Sequence, residues 1–117
     1  MALRDDLQEQ AANILRERWA ERDGEVVPEP SNLELGNDAV NLEATVLYAD
    51  MVGSTKLVDE QSPTLAAEVY KSYMVCAARI IKNEEGSITA YDGDRVMGVF
   101  IGNVKNTTAA RTAMKIH

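Results

Sequence analysis

The chain is short of the residues that announce many functions. It has one cysteine, one histidine, three prolines and a single phenylalanine in 117 residues. Cys76 has no partner for an intrachain disulfide, and its place in an apolar helical pattern marks it as a core residue rather than a nucleophile. His117 is terminal and is given no role. No apolar run approaches the roughly 20 residues of a membrane span. The opening Met-Ala-Leu-Arg-Asp-Asp-Leu is charged at once and lacks a secretory apolar region. These absences predict a cytoplasmic protein with no membrane partner. There is no Gly-x-x-x-x-Gly-Lys, which excludes a P-loop, and there is neither an internal repeat nor a low-complexity tract.

Positive charge is also scarce. The net charge is −7, divided as −6 over residues 1–42 and −1 over residues 43–117. With no basic stripe to meet a phosphate backbone, nucleic acid is not an expected partner. The second segment has too little positive charge to neutralise a triphosphate by itself, so divalent cations would have to help.

What is present is regular patterning in an ordinary composition, 45% hydrophobic and 26% charged, that suits one domain or part of one. Leu3, Leu7, Ala11, Ile14, Leu15 and Trp19 predict an amphipathic helix over 3–22 that fills the N-terminal segment 1–22. Gly24, Pro28, Pro30 and Gly36 mark 23–42 as a linker or irregular arm. A compact part follows over 43–117. Its first element is a strand from Leu42 to Asp50, apolar enough for burial on both faces. Ser62 and Pro63 cap and open a helix that carries Ala66, Val69, Tyr70, Tyr73, Ala77, Ile80 and Ile81 at helical spacing, and Gly86 stops it. Two short strands flank Asp92-Gly93, a tight-turn dipeptide. Asn103 to His117 reads as a helix with Ala109, Ala110, Ala113 and Met114 facing inward. Strand, helix, strand, strand, helix predicts an α+β, ferredoxin-like fold, an antiparallel sheet packed by helices. That plan asks for another strand after the last helix, so the sequence reads as an incomplete domain.

Two segments carry chemistry. Ala44-Thr-Val-Leu-Tyr-Ala-Asp-Met-Val-Gly-Ser-Thr55 is a strand pattern that ends in Asp50 and a small hydroxyl-bearing turn. Gly86-Ser-Ile-Thr-Ala-Tyr-Asp-Gly-Asp-Arg-Val-Met-Gly-Val-Phe100 is a hairpin with Asp94 just past its tip. Either aspartate alone is an ordinary cap or turn residue. If the strands pair, the two acids meet at one end of a sheet, and proteins tolerate that repulsion mainly where a cation resolves it. Mg²⁺ or Mn²⁺ takes a few carboxylates together with substrate phosphate oxygens. Asp50 and Asp94 could bridge two such ions, with the Met51 carbonyl as a further oxygen ligand. One ion would then activate an attacking hydroxyl and the other would stabilise leaving pyrophosphate. In Val52-Gly53-Ser54-Thr55, Gly53 permits close backbone approach and the next helix start points N–H groups at an anion.

With both segments in place, the chain resembles the class III nucleotide cyclases over residues 43–117. Val46 to Thr55 looks like that family's first metal motif, and Gly93 to Phe100 like its second. The resemblance implies that Asp50 and Asp94 bind the metals with the Met51 carbonyl, and that Gly53 to Thr55 contact phosphates. The implied reaction is attack of the ribose 3′-hydroxyl on the α-phosphate, giving a cyclic monophosphate and pyrophosphate. The family's transition-state asparagine and arginine come from later strands, across a homodimer interface, and neither is assignable here. Residues 1–117 alone are therefore expected to bind metal or nucleotide weakly and to turn over nothing.

Purine cyclases place a base-reading lysine four residues before the second metal acid, and here that position is Ala90. Period-2 alternation would put Asp92 on the same strand face as Asp94. In this respect the chain is similar to the pyrimidine cyclases of bacterial antiphage (Pycsar) systems, which make cyclic UMP or cyclic CMP. That likeness implies a smaller base pocket shaped by Tyr91, Asp92 or Arg95, and a separate effector that responds to the product. The alternatives are an adenylate cyclase with a degenerate pocket, and a non-catalytic module for dimerisation or nucleotide sensing. A diguanylate cyclase would need Gly-Gly-Asp/Glu-Glu-Phe at the hairpin tip, which Tyr91-Asp-Gly-Asp-Arg95 does not match.

Overall fold

A computed structural model describes residues 2–33 and 36–117. The chain divides into two compact units, Met1–Leu42 and Glu43–His117. In the first, α1 spans Leu3–Arg16, with Asp5 and Asp6 in its first turn and Arg16 in its last, both signs suited to the helix dipole. The helix expected over 3–22 thus stops six residues early. The cause is a tertiary cap. The buried Asn37 amide donates to the carbonyls of Ile14 and Glu17, at 2.9 Å each, and satisfies helix-end acceptors that periodicity cannot see. Residues beyond the cap turn extended and form β1, Ala20–Asp23, paired in parallel with β2, Asp38–Asn41. Arg22 ties the pair, its guanidinium donating to Asp38 Oδ1 at 2.6 Å and to the Asn32 carbonyl at 2.7 Å. The supposed arm 23–42 therefore contains a strand and a short 3₁₀ turn, Pro30–Asn32. Within this unit α1 buries no residue, and Leu3, Leu7, Ile14, Leu15 and Trp19 are exposed.

The second unit runs β3 (Thr45–Asp50), α2 (Ser54–Glu60), α3 (Pro63–Asn83), β4 (Ser87–Asp92), β5 (Arg95–Phe100) and α4 (Lys105–Ile116). Its three strands form an antiparallel sheet in the order β3-β5-β4, and α3 and α4 pack against it. This α+β arrangement is the expected one and is compatible with a ferredoxin-like cyclase fold. Local signals set the limits of α3. The Ser62 hydroxyl accepts from the Leu65 N–H at 3.2 Å, and Pro63 supplies the first turn. At the other end Glu85 is left-handed, and the Gly86 N–H closes back on the Ile81 carbonyl at 2.9 Å. A Cβ on Gly86 would lie 2.7 Å from Ile81 Cγ2 and 2.8 Å from the Phe100 ring, so glycine is required for packing as well as for stopping the helix.

The core is Ala49, Ala77, Ile81, Val96, Phe100 and Ala109, with Leu47, Tyr73, Met74, Ile88 and Ile116 packed around it. Three expectations need correction. Helices cover one face of β3 only, so Val46 and Tyr48 are half exposed where burial on both faces was expected. Cys76 is exposed, because Ala77 and Ala78 take the inward positions of that turn. On α4, Ala110 and Met114 face outward, and the fully buried residue is Thr112. Its hydroxyl donates to the Thr108 carbonyl at 2.7 Å, so a polar residue enters the core with its hydrogen bond made. Glu84, at the end of α3, receives Arg111 at 2.9 Å and Lys115 from α4, and these bonds hold its carboxyl below the usual carboxylate range. Among the described residues no helix is long and apolar enough to cross a membrane.

Candidate active site

The sheet register determines where the acids go. Asp50, the last residue of β3, pairs with Arg95, the first of β5, and Arg95 pairs on its other side with Asp92. The hairpin turn is therefore Gly93-Asp94, one residue later than the Asp92-Gly93 tip expected from composition. Asp94 belongs to the turn itself. It lies beside the end of β3, where the Met51 N–H donates to the Asp94 carbonyl at 2.9 Å. Asp50 and Asp94 thus come to one end of the sheet, as their segments predicted. The alternation argument for Asp92 does not hold. Asp92 ends its strand in an ion pair with Arg95 at 2.8 Å, and Asp94 is outside the strand. A bulge at Thr89 also shifts the alternation of β4, with Ile88 opposite Gly98 and Ala90 opposite Met97.

Asp94 is half-buried and Asp50 is exposed. The Ser54 hydroxyl donates to Asp94 Oδ2 at 2.7 Å, and the Ser54 carbonyl accepts from the Tyr70 hydroxyl of α3 at 3.0 Å. Tyr73, one turn further along α3, has its phenol pKa raised, first by burial and then by the negative charges of Asp50 and Asp94. One phenol feels both carboxylates. Between the acids, Val52 is almost wholly exposed and Gly53 adopts φ 78°, the left-handed region, as the N-cap of α2. A Cβ at Gly53 would meet nothing within 4 Å, so the glycine is there for its backbone angle and not for want of space. No side chain caps α2. Two shallow grooves of about 310 and 330 Å³ flank this turn. Tyr73 and His117 contribute to the first, and Lys56 to the second.

The base-pocket candidates separate by face. Ala90, Asp92 and Arg95 share the outer face of the sheet with Asp50, by their cross-strand pairing. Tyr91 pairs with the fully buried Val96 and so belongs to the helix-covered side, although it is itself half exposed. On the outer face, the Arg95 guanidinium lies 5.4 Å from the ring centroid of Tyr48. The hydrogen bond that Arg95 donates to the Asp92 carboxylate, then the negative surroundings, keep Arg95 even more firmly protonated than usual. Tyr48 reads as a packing residue from sequence. Its position two residues before Asp50 was the available signal, because i and i+2 of a strand share a face. Among the described residues no three His, Cys, Asp or Glu side chains gather as a metal cluster. The site offers two carboxylates and backbone oxygens.

No family model matches the chain. Over 117 residues it is 51% identical to a uridylate cyclase of Xanthomonas perforans, an overlap of 99% of this chain and 51% of that protein. A uridylate cyclase of Burkholderia cepacia is 49% identical over 119 residues, covering 100% of this chain and 52% of the relative. The chain is related to uridylate cyclases. A third, from Rhodovulum sp. (strain MB263), is 37% identical over 116 residues, 99% of this chain and 48% of that protein. The chain spans about half the length of the curated relatives it matches. These relatives bear out the resemblance to the pyrimidine branch of the nucleotide cyclases.

Proposed function

We propose that the protein is a pyrimidine nucleotide cyclase that converts UTP to 3′,5′-cyclic UMP and pyrophosphate. The observation that carries this reading is the register Asp50–Arg95 with Asp94 in the adjoining turn, in a chain half identical to uridylate cyclases. The reaction forms a bond from the ribose O3′ to the α-phosphorus and breaks the bond from that phosphorus to the oxygen bridging to the β-phosphate. Asp50, Asp94 and the Met51 carbonyl form an all-oxygen, doubly anionic donor set, which fits two Mg²⁺ or Mn²⁺ ions with substrate phosphates completing the coordination. Bound there, the ions would supply Lewis acidity and neutralise phosphate charge. The chain's own part is placement. The backbone from Val52 to Thr55 faces the phosphates, Ser54 orients Asp94, and α3 backs the turn.

In this reading the base lies against the outer face, where Tyr48 offers an aromatic surface and Arg95 a donor held by Asp92. Ala90 leaves the space that a base-reading lysine would fill. The half-exposed apolar residues of that face, Val46 and Tyr48, suit a homodimer that would complete the site. The product would serve as a second messenger for a separate effector in antiphage defence, in the cytoplasm. In a preparation that makes cyclic UMP, Arg95→Ala is expected to lower the UTP-over-ATP ratio of kcat/KM roughly tenfold, the scale of one cation–π or stacking contact. Tyr91→Ala is expected to change it less than about twofold, being on the other face. An unchanged ratio in Arg95→Ala would remove Arg95 from the base pocket.

A further inference from the structure

Asp94 occupies the tip of a hairpin, where few ladder bonds restrain a residue. Across the site Val52 is almost fully exposed and Gly53 carries a left-handed angle, its carbonyl accepting from the Leu57 N–H at 3.0 Å. A carboxylate in such a place would sample several orientations. Here it is held at two points. The Met51 N–H donates to its backbone carbonyl at 2.9 Å, and the Ser54 hydroxyl donates to Oδ2 at 2.7 Å. The two donors flank the exposed Val52-Gly53 turn, so their precision depends on what fixes that turn.

Besides the first turn of α2, a side-chain bond from α3 fixes it. The Tyr70 hydroxyl donates to the Ser54 carbonyl at 3.0 Å. α3 is the longest element of the chain and is set into the core by Ala66, Ala77, Ala78 and Ile81. Tyr70 belongs to neither acid-bearing segment, and its helical spacing reads as packing. We propose that Tyr70 is a positioning residue for Asp94: its hydroxyl fixes the Ser54 peptide, which aims the Ser54 hydroxyl at Oδ2 and leaves Oδ1 facing a cation. The inference rests on the two-carboxylate metal site proposed above. It concerns how that site is kept in shape, since a ligand orientation fixed before binding avoids the ordering cost at the moment of binding.

The test is a Mn²⁺ titration of the chain followed by water-proton relaxation, with thermal unfolding measured on the same samples. Tyr70→Phe keeps the ring and deletes the hydroxyl. It is expected to weaken Mn²⁺ binding about three- to tenfold, the scale of one net hydrogen bond, while the melting temperature moves by only a few degrees. Ser54→Ala is expected to weaken binding to a similar extent. Adding Tyr70→Phe to it should then have no further effect, because the two hydroxyls act in series. Ser54→Ala also gives an answer should Tyr70→Phe fail to fold, since unchanged Mn²⁺ binding in it breaks the series. Equal Mn²⁺ affinity in Tyr70→Phe and wild type, or additive losses in the double variant, would overturn the role given to Tyr70. If wild-type binding is absent or indifferent to Asp50→Asn and Asp94→Asn, the metal pair itself is wrong and this proposal falls with it.

Discussion

In a preparation that makes cyclic UMP, Asp50→Asn is expected to reduce its formation about a thousandfold while the fold survives. Asp50 is exposed at the end of β3 and contributes nothing to the core, so its loss should barely affect stability. Asparagine keeps the shape and one oxygen but removes the charge. A carboxylate that holds a divalent cation is worth several kcal/mol of charge stabilisation in the transition state, and each ~1.4 kcal/mol is about tenfold in rate. Asp94→Asn should lose as much, and it offers a cleaner comparison. Its amide oxygen can still accept from the Ser54 hydroxyl, so the turn should stay in place while the charge is gone. Product quantified by mass, beside a melting curve for each variant, separates loss of chemistry from loss of fold. Activity within tenfold of wild type in either variant would contradict the assigned roles.

The largest expected effect on stability lies away from the site. Phe100 is the only phenylalanine and is 2% exposed at the centre of the core. Its ring fills the space that Gly86 leaves open, and the same cluster lets Ile81 approach Gly98, where a Cβ would lie 2.9 Å from Ile81 Cγ2. With so little space to collapse into, Phe100→Ala should cost about 3–5 kcal/mol. Whole domains are stable by only about 5–15 kcal/mol. For a unit of this size the loss corresponds to a fall in Tm of roughly 20 °C, readable by circular dichroism. A fall under about 5 °C would mean that the core is centred elsewhere.

What could be read from sequence depended on whether the signal was local. The limits of α3 were legible because Ser62, Pro63 and Gly86 act through bonds within a few residues of themselves. The end of α1 was not, because its cap, Asn37, comes from the far side of an intervening turn. The meeting of Asp50 and Asp94 was legible because an acid that ends one strand and an acid in the turn just before the next need only antiparallel pairing to be brought together. The turn lies one residue later than expected, and Tyr91 on the face opposite Arg95, because Asp92 pairs with Arg95 and Tyr91 with Val96, which composition does not encode. Met114 is the exception to locality: it turns outward beside a buried Thr112, whose hydroxyl bonds the Thr108 carbonyl only four residues away, and hydropathy gives no sign of a threonine in the core. Tyr48 and Tyr70 look like packing residues in any window of sequence. Their partners, Arg95 and the Ser54 carbonyl, arrive through the fold.

The base of the product separates a pyrimidine cyclase from a purine one. Incubating the active protein with each of the four ribonucleoside triphosphates and Mn²⁺, then separating the products by mass, addresses it directly. Cyclic UMP is expected as the main product, cut about a thousandfold by Asp50→Asn. Cyclic AMP or cyclic GMP as the main product would contradict it, and with it the reading of Ala90 and Arg95 as a pyrimidine pocket.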